Sequence, residues 1–121
     1  MARMFGKAYI RVDGQTLRTL KGASLEAGGE DRQPVVGSNE VHGFSGSITP
    51  ATIDCEVAIA AGDDPVGLHN RIVDATVTFE CDSGQTYSVR QAFSSVPPKM
   101  TEGGDGGKVP IKLIGQPAEL V

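Results

Sequence analysis

Residues 75–91 read Ala75-Thr76-Val77-Thr78-Phe79-Glu80-Cys81, then Asp82-Ser83-Gly84, then Gln85-Thr86-Tyr87-Ser88-Val89-Arg90-Gln91. Both outer runs alternate apolar and polar residues, the period of a half-buried strand. A three-residue loop with Gly84 in the left-handed region suits a type I turn followed by a bulge. That loop pairs Phe79 with Tyr87, Thr78 with Ser88, Val77 with Val89 and Thr76 with Arg90. One face is then apolar and the other polar. A loop one residue shorter or longer would mix the faces. Downstream come a Pro97-Pro98 break, the Gly-rich run Thr101–Lys108, and Val109-Pro110-Ile111-Lys112-Leu113, an alternating strand. Pro110 has no N–H to give to a ladder, so this strand is expected at an edge.

Upstream, Ala8-Tyr9-Ile10-Arg11-Val12 and Gln15–Leu20 flank Asp13-Gly14, a type I′ turn signal that sets Ile10 against Leu17 and Arg11 against Thr16. Residues 22–39 show neither strand nor helix period. They carry four Gly, a Pro and mixed charge, and are expected to form a long loop. Val41–Ile59 reads as a second hairpin turning at Thr49-Pro50, with Phe44 facing Cys55, His42 facing Val57 and Gly46 facing Ile53. Its other face collects Ser45, Ser47, Thr52, Asp54 and Glu56. Asp63-Asp64-Pro65 places an Asp cap before a Pro at the first helical position, which predicts a short helix over 65–73 with Leu68 and Ile72 on one buried side. Residues 101–108 are expected to be a flexible loop.

The 121 residues suit one domain, 1–121, of mainly-β class: an antiparallel β-sandwich or half-barrel with one short α-helix. With 11 basic and 15 acidic residues the chain is mildly acidic, which argues against a nucleic-acid binder with a basic footprint. No apolar run approaches the length of a membrane span, and no signal peptide is legible at Met1–Lys7. Cys55 and Cys81 are too few for a disulfide framework and read as small buried hydrophobes, with a bridge between them as the alternative if their strands are neighbours. His42 and His69 are isolated, Asp63 and Asp64 cap a helix, the glycines before Lys108 lack the phosphate-loop spacing, and Gly43-Phe44-Ser45-Gly46 misses the nucleophile-elbow pattern. The residues supply no catalytic, cofactor or metal constellation. A stand-alone β-sandwich binding or adaptor module remains as an alternative. It needs exposed aromatics, and Phe5, Tyr9, Phe44, Phe79, Tyr87 and Phe93 mostly fit the core pattern.

Several ordered segments carry a resemblance: Lys21-Gly22-Ala23-Ser24 running to Gly28-Gly29, Val41-His42-Gly43-Phe44, Pro50-Ala51-Thr52-Ile53-Asp54-Cys55, Asn70 to Tyr87, Pro97-Pro98, the Gly-Gly-Asp-Gly-Gly run and Val109–Leu113. Together they resemble the tail tube proteins of Mu-like bacteriophages over nearly the whole chain. The resemblance implies hexameric rings that stack into a hollow tube, with two hairpins per subunit joining a ring-wide β-barrel around the lumen. Lumen-facing candidates are Ser45, Ser47, Thr52, Asp54, Glu56, Thr76, Thr78, Glu80, Ser88 and Arg90. The 22–39 loop would reach a neighbouring subunit through Ser24, Leu25, Glu26, Glu30, Asp31, Arg32, Val35 and Val36. Implied partners are further copies of the chain, a tape-measure protein, a tail terminator, baseplate or initiator proteins, a sheath in a contractile tail, and double-stranded DNA in transit without specific binding. No cofactor and no membrane insertion are implied. The implied location is the virion tail, after assembly in the cytoplasm of a bacterial host. A tailocin or contractile injection particle would use the same subunit.

Overall fold

The computed structural model describes residues 1–60, 62–100 and 107–121. The strands are β1 (Ala8–Val12), β2 (Gln15–Thr16), β3 (Ser24–Glu26), β4 (Gly29–Val36), β5 (Val41–Thr49), β6 (Ala51–Ala58), β7 (Ala75–Cys81), β8 (Thr86–Ser94), β9 (Lys108–Gly115) and β10 (Glu119–Leu120), with one helix, α1 (Pro65–Arg71), between β6 and β7. The expected 101–108 loop lies outside the described residues except for its last two positions, and Lys108 already belongs to β9.

The hairpin that opens the sequence reading forms with the expected register at Val77↔Val89, Thr78↔Ser88 and Phe79↔Tyr87. Gly84 takes φ +111°, and its N–H bonds the Cys81 carbonyl. The fourth expected pair, Thr76 with Arg90, does not form. A bulge intervenes, Gln91 takes φ +53°, and Ala75 pairs with Ala92 instead. The bulge keeps Val89 and Ala92 both buried although they are three residues apart. Asp13 and Gly14 have φ of +48° and +85°, both positive as a type I′ turn requires.

Strand order is β2-β1-β7-β8-β9-β6-β3, with β10 on the start of β8. β8 is the hinge of this sheet. It pairs with β7 along most of its length but meets β9 only at Phe93↔Ile114 and Ser94↔Leu113. From that short junction two layers diverge, β1-β7-β8 and β9-β6-β3. The far edges come back together through residues 17–20: the Leu17 N–H bonds the Ile10 carbonyl, Thr19 bridges Val57, and the Leu20 and Ala58 N–H groups bond the Glu56 and Arg18 carbonyls. The sheet is thus rolled into a small barrel. Ile10, Val77, Val89, Ile53 and Leu113 fill its inside, each almost wholly buried. Each such side chain stabilises the fold by about 1.5–3 kcal/mol relative to exposure.

β9 is not the edge strand that Pro110 predicted. It pairs with β6 along its whole length. The Lys112 carbonyl accepts from the Ser95 N–H, so it points toward β8. By the two-residue alternation of a strand, the missing N–H of Pro110 faces the same side, beyond the last β8 partner, where it leaves no ladder bond unmade.

The helix stops two residues short of the expected end. The Asp64 carboxylate accepts from the Gly67 N–H at 3.0 Å, and Pro65 opens the first turn. His69 Nδ1 lies 2.6 Å from the Ser94 hydroxyl and the Ser94 N–H bonds the Ile72 carbonyl, which ties the helix to β8. Ile72 is buried and Leu68 packs against the core.

The larger correction concerns residues 22–58. The expected loop holds β3 and β4, and the expected hairpin at Val41–Ile59 does not exist. β5 pairs with β4, β6 pairs with β9 and β3, and the chain runs through Pro50 rather than turning there. The real turn is at Gly37–Glu40, where the Gly37 N–H bonds the Glu40 carbonyl at 2.8 Å. Ser24↔Asp54, Glu26↔Thr52, Gly29↔Thr49 and Pro34↔Phe44 keep one register throughout, so β3-β4 and β5-β6 form a single long ribbon with a joint at Gly28–Gly29 and Pro50. Gly28 sits at φ +70°, and a Cβ there would lie 2.5 Å from the Thr49 carbonyl oxygen.

Ile53→Ala removes a core side chain with no exposure, and thermal or urea unfolding should show a loss of about 2–5 kcal/mol. Gly28→Ala should cost about 1–3 kcal/mol through strain at the joint. An unchanged unfolding midpoint in either variant would contradict the packing described here.

Candidate functional site

Beyond the joint the ribbon leaves the barrel. Among the described residues β4 and β5 pair with each other and with no other strand. All nine residues of β5 are exposed, and so are all residues of β4 except the half-buried Gly29. The cross-strand pairs define two unlike faces. Glu30, Arg32, Pro34, Phe44, Gly46 and Ile48 share one, and Asp31, Gln33, Val35, Gly43, Ser45 and Ser47 share the other. On the first face Phe44 and Ile48 stand 63% and 75% exposed. The Arg32 guanidinium lies over the Phe44 ring at 5.4 Å and pairs with Glu30 at 2.7 Å. Val35, Val36 and Val41 add exposed aliphatic surface toward the tip. A two-stranded ribbon with apolar side chains in water is marginal by itself, because it has no second layer to bury them.

The ten lumen candidates fall on three surfaces rather than one. Ser45 and Ser47 are on the small polar face of the arm. Thr52, Asp54 and Glu56 point outward from β6, beside β9. Thr76, Thr78, Glu80, Ser88 and Arg90 point outward from β7 and β8 in the other layer. Within one subunit they make no continuous acidic surface, for two reasons: the second hairpin does not form, and cations interleave with the acids. Lys112 is directly opposite Asp54, and Lys108 Nζ is 3.3 Å from Glu56. Arg11 Nε is 3.5 Å from Glu80, and Arg90 bonds Glu119 at 2.9 Å.

Of the loop candidates, Ser24, Leu25 and Glu26 form β3 against β6. Glu30, Asp31, Arg32, Val35 and Val36 lie on the arm. The aromatic side chains also depart from expectation. Of the six, Phe79 alone is buried; Phe5, Tyr9, Phe44 and Phe93 are exposed.

A groove of about 440 Å³ opens between β3 and the tip of the β7-β8 hairpin, lined by Phe5, Ala23, Leu25, Phe79, Cys81 and Tyr87. A second depression of about 580 Å³ adjoins it across Phe5 and Ala23, with Lys7 and Lys21 on its wall. The N-terminal segment forms part of both. Phe5 stacks on Phe79 at 6.3 Å, and the Asp82 carboxylate accepts from the Gly6 N–H at 3.0 Å. That backbone bond first, with Lys7 and Arg3 adding to it, holds the Asp82 carboxyl below the usual carboxylate range. A further groove of about 490 Å³ over β6 and β9 mixes Asp54 and Glu56 with Lys21, Lys99 and Lys112. Among the described residues no cluster of His, Cys, Asp and Glu could hold a metal, and no helix is long and apolar enough to cross a membrane. Burial pushes the Cys55 thiol up to about 11, with Asp54 adding to it; the Cys81 thiol is also raised, by desolvation and by Asp82.

The profile of the phage tail tube protein family matches residues 1–119. The chain belongs to that family. It is 33% identical over 119 residues to the tail tube protein of Escherichia phage Mu, covering 96% of this chain and 93% of the relative. It is 40% identical over 95 residues to the Mu-like prophage FluMu tail tube protein of Haemophilus influenzae, covering 78% and 79%. Among solved structures it is similar to a chain of the sheath-tube complex of an extracellular contractile injection system in the extended state. The TM-score is 0.72 at 14% identity, over 100% of this chain and 91% of that one, so the fold is shared.

A tail tube protein is structural and not an enzyme, and it is a component of a phage-type tail. The surfaces that matter in such a subunit are those that meet other subunits. The exposed arm and the Phe5 groove are the features of this tail tube protein least satisfied in a single copy. Sequence reasoning placed the β4 half of the arm in a loop, paired the β5 half with β6 in a hairpin, and missed the groove altogether. The signal for the arm was the constant pairing register across Pro50, which is invisible until the partner strand is known.

The clasp at Asp82 gives a pH test. Its pKa is lowered in the folded protein, so its contribution is complete above the ordinary carboxylate value and is lost as pH falls through the lower folded value. Protection of the Gly6 and Lys7 amides, measured against their intrinsic exchange rates, should be lost only as pH falls below the ordinary carboxylate range. In Asp82→Asn, exchange at these amides should already be fast at neutral pH. Equal exchange in both proteins at pH 7 would show that the clasp does not hold the segment.

Proposed function

We propose that the chain forms closed rings of six copies, that the rings stack into a tube, and that the tube conducts a genome out of the particle. The observation that carries this reading is the arm: a paired ribbon, exposed on both faces, is a subunit element waiting for a neighbour. Family membership supplies the context of a tail. Partners follow from the position of such a tube: a tape-measure protein inside it, a terminator at one end, baseplate or initiator proteins at the other, and a sheath where the tail contracts. Assembly would take place in the cytoplasm of a bacterial host.

The layer that carries the ribbon is the one able to run on from copy to copy, because the arm prolongs β3 and β6 beyond the barrel. On this reading the channel wall is Thr52, Asp54 and Glu56 of β6; Ser45 and Ser47 fall on the other side of the same ribbon, because one register runs through Pro50 and side chains alternate along a strand. Thr76, Thr78, Glu80, Ser88 and Arg90 then face away from the channel. Local pairing of Asp54 and Glu56 with lysines keeps the wall from presenting unopposed positive charge to passing phosphate. The same geometry serves a particle that carries no genome, such as a tailocin.

Purified protein at high concentration should form rings or hollow tubes by electron microscopy; a strict monomer would count against the reading. Asp54→Lys with Glu56→Lys should leave tubes intact while slowing genome ejection, whereas Thr78→Lys with Glu80→Lys should eject normally. The reverse pattern would move the wall to the other layer. Particles that assemble but contain and eject no nucleic acid would assign the tube to the genome-free class.

A further inference from the structure

The arm joins the barrel at one place, and the strand ladder is interrupted there. β3 and β6 pair as far as Glu26↔Thr52, and β4 and β5 resume at Gly29↔Thr49. Between them Ala27 and Gly28 run past Pro50 and Ala51 without a pair. Gly28 and Gly29 take φ of +70° and +117°, and Pro50 has no N–H to give. Such a joint preserves register but does not by itself fix a direction. The bond missing from the ladder is made to a third segment: the Ala27 carbonyl accepts from the Ala118 N–H at 2.8 Å. We propose that residues 116–121 are a brace that fixes the direction of the arm against the barrel, with Ala118 as the positioning residue and the bulge in β8 as its anchor.

The segment is fastened on both sides of Ala118. Upstream, Gly115 passes so close to β8 that a Cβ would lie 2.7 Å from Val89 Cγ1 and 2.9 Å from the Arg90 carbonyl oxygen. The Gln116 N–H bonds the Arg90 carbonyl at 3.0 Å, and the Gln116 side-chain amide donates to the Gln91 side-chain oxygen at 3.1 Å. Downstream, the Arg90 guanidinium donates to Glu119, β10 pairs with Tyr87 and Ser88, and the Val121 N–H bonds the Thr86 carbonyl. Pro117 lies between the upstream anchor and Ala118, and its ring fixes one backbone dihedral of the strap. The anchor itself is a strained place. Gln91 holds φ +53°, a conformation that a residue with a side chain keeps only where its surroundings dictate it. Covering the barrel would require only the contact of Ala118 with the core and the pairing of β10. The bond to Ala27 goes further, because Ala27 belongs to neither β3 nor β4 but to the joint between them. The arm is thus aimed by its own chain before it meets any partner, which reduces the ordering cost of a later contact. This role holds for the single chain and does not depend on the ring reading.

Distance measurement between spin labels in the full-length monomer, in dilute solution, tests the brace. Ser45→Cys on the arm and Thr16→Cys on β2 place both labels at exposed sites, in a Cys81→Ser background that leaves only the buried Cys55. The parent should give one narrow distance. Ala118→Pro deletes the N–H given to Ala27 and keeps the chain length. It should spread that distance into a broad distribution while the Ile53 and Val77 amides keep the hydrogen-exchange protection of the parent. Gln116→Ala with Glu119→Ala should spread it too, by loosening the anchor, and takes the place of Ala118→Pro should that variant not fold. Leu120→Ala, beyond the joint, should leave the distance narrow. If the segment served barrel packing alone, Ala118→Pro would lower the exchange protection and leave the distance as narrow as in the parent. That outcome, or a parent distribution that is already broad, would overturn the brace. A protein that forms no rings or tubes would overturn the ring reading and leave this measurement in force.

Discussion

A chain of this size closes one aliphatic core, and that core is already used up by the barrel. Ile10, Val77 and Val89 from one layer meet Ile53 and Leu113 from the other, and residues 17–20 stitch the far edges shut. Nothing apolar remains on the inside for β4 and β5 to pack against. The ribbon therefore stands off the body, its backbone paired only to itself among the described residues. Every other feature of the surface follows from this shortage. The arm has an apolar side, the barrel mouth has an apolar groove, and the two cannot be satisfied within one subunit without a second core.

Electrostatics plays the smaller part. The ion pairs are at least partly exposed, and exposed pairs contribute little to stability. Their role is to set which surfaces accept which neighbours. Lysines on β9 sit among the acids of β6, and arginines on β1 and β8 answer Glu80 and Glu119, so neither outer face carries a field of one sign. A surface of that kind neither attracts nor strongly repels a charged partner at long range.

The sequence made legible what local pattern controls. The Asp82-Ser83-Gly84 loop, the Asp13-Gly14 turn and the Asp64-Pro65 cap each depend on a few adjacent residues, and each forms in the structure. What failed was pairing between distant strands. Pro50 stands where a turn would be natural, yet both of its flanks stay extended because their partners, β4 and β3, are also broken at one place, Gly28–Gly29. β4 itself shows no alternation because it has no buried face to mark. A strand exposed on both sides leaves no hydrophobic period, so Glu30 to Val36 reads as loop until its partner is seen. The groove was invisible for the opposite reason. Phe5, the Ala23–Leu25 stretch and Tyr87 come from three separate segments, and no spacing in the chain links the three.

The two cysteines carry a consequence for durability. Cys55 lies inside the barrel with its thiol pushed up to about 11, and the Cys81 thiol is raised as well. A sulfur that stays protonated at neutral pH is a poor nucleophile and a slow target for oxidants. Cys55 therefore serves the barrel by its packing rather than by its chemistry, and an oxidant meets the fold before it meets this sulfur.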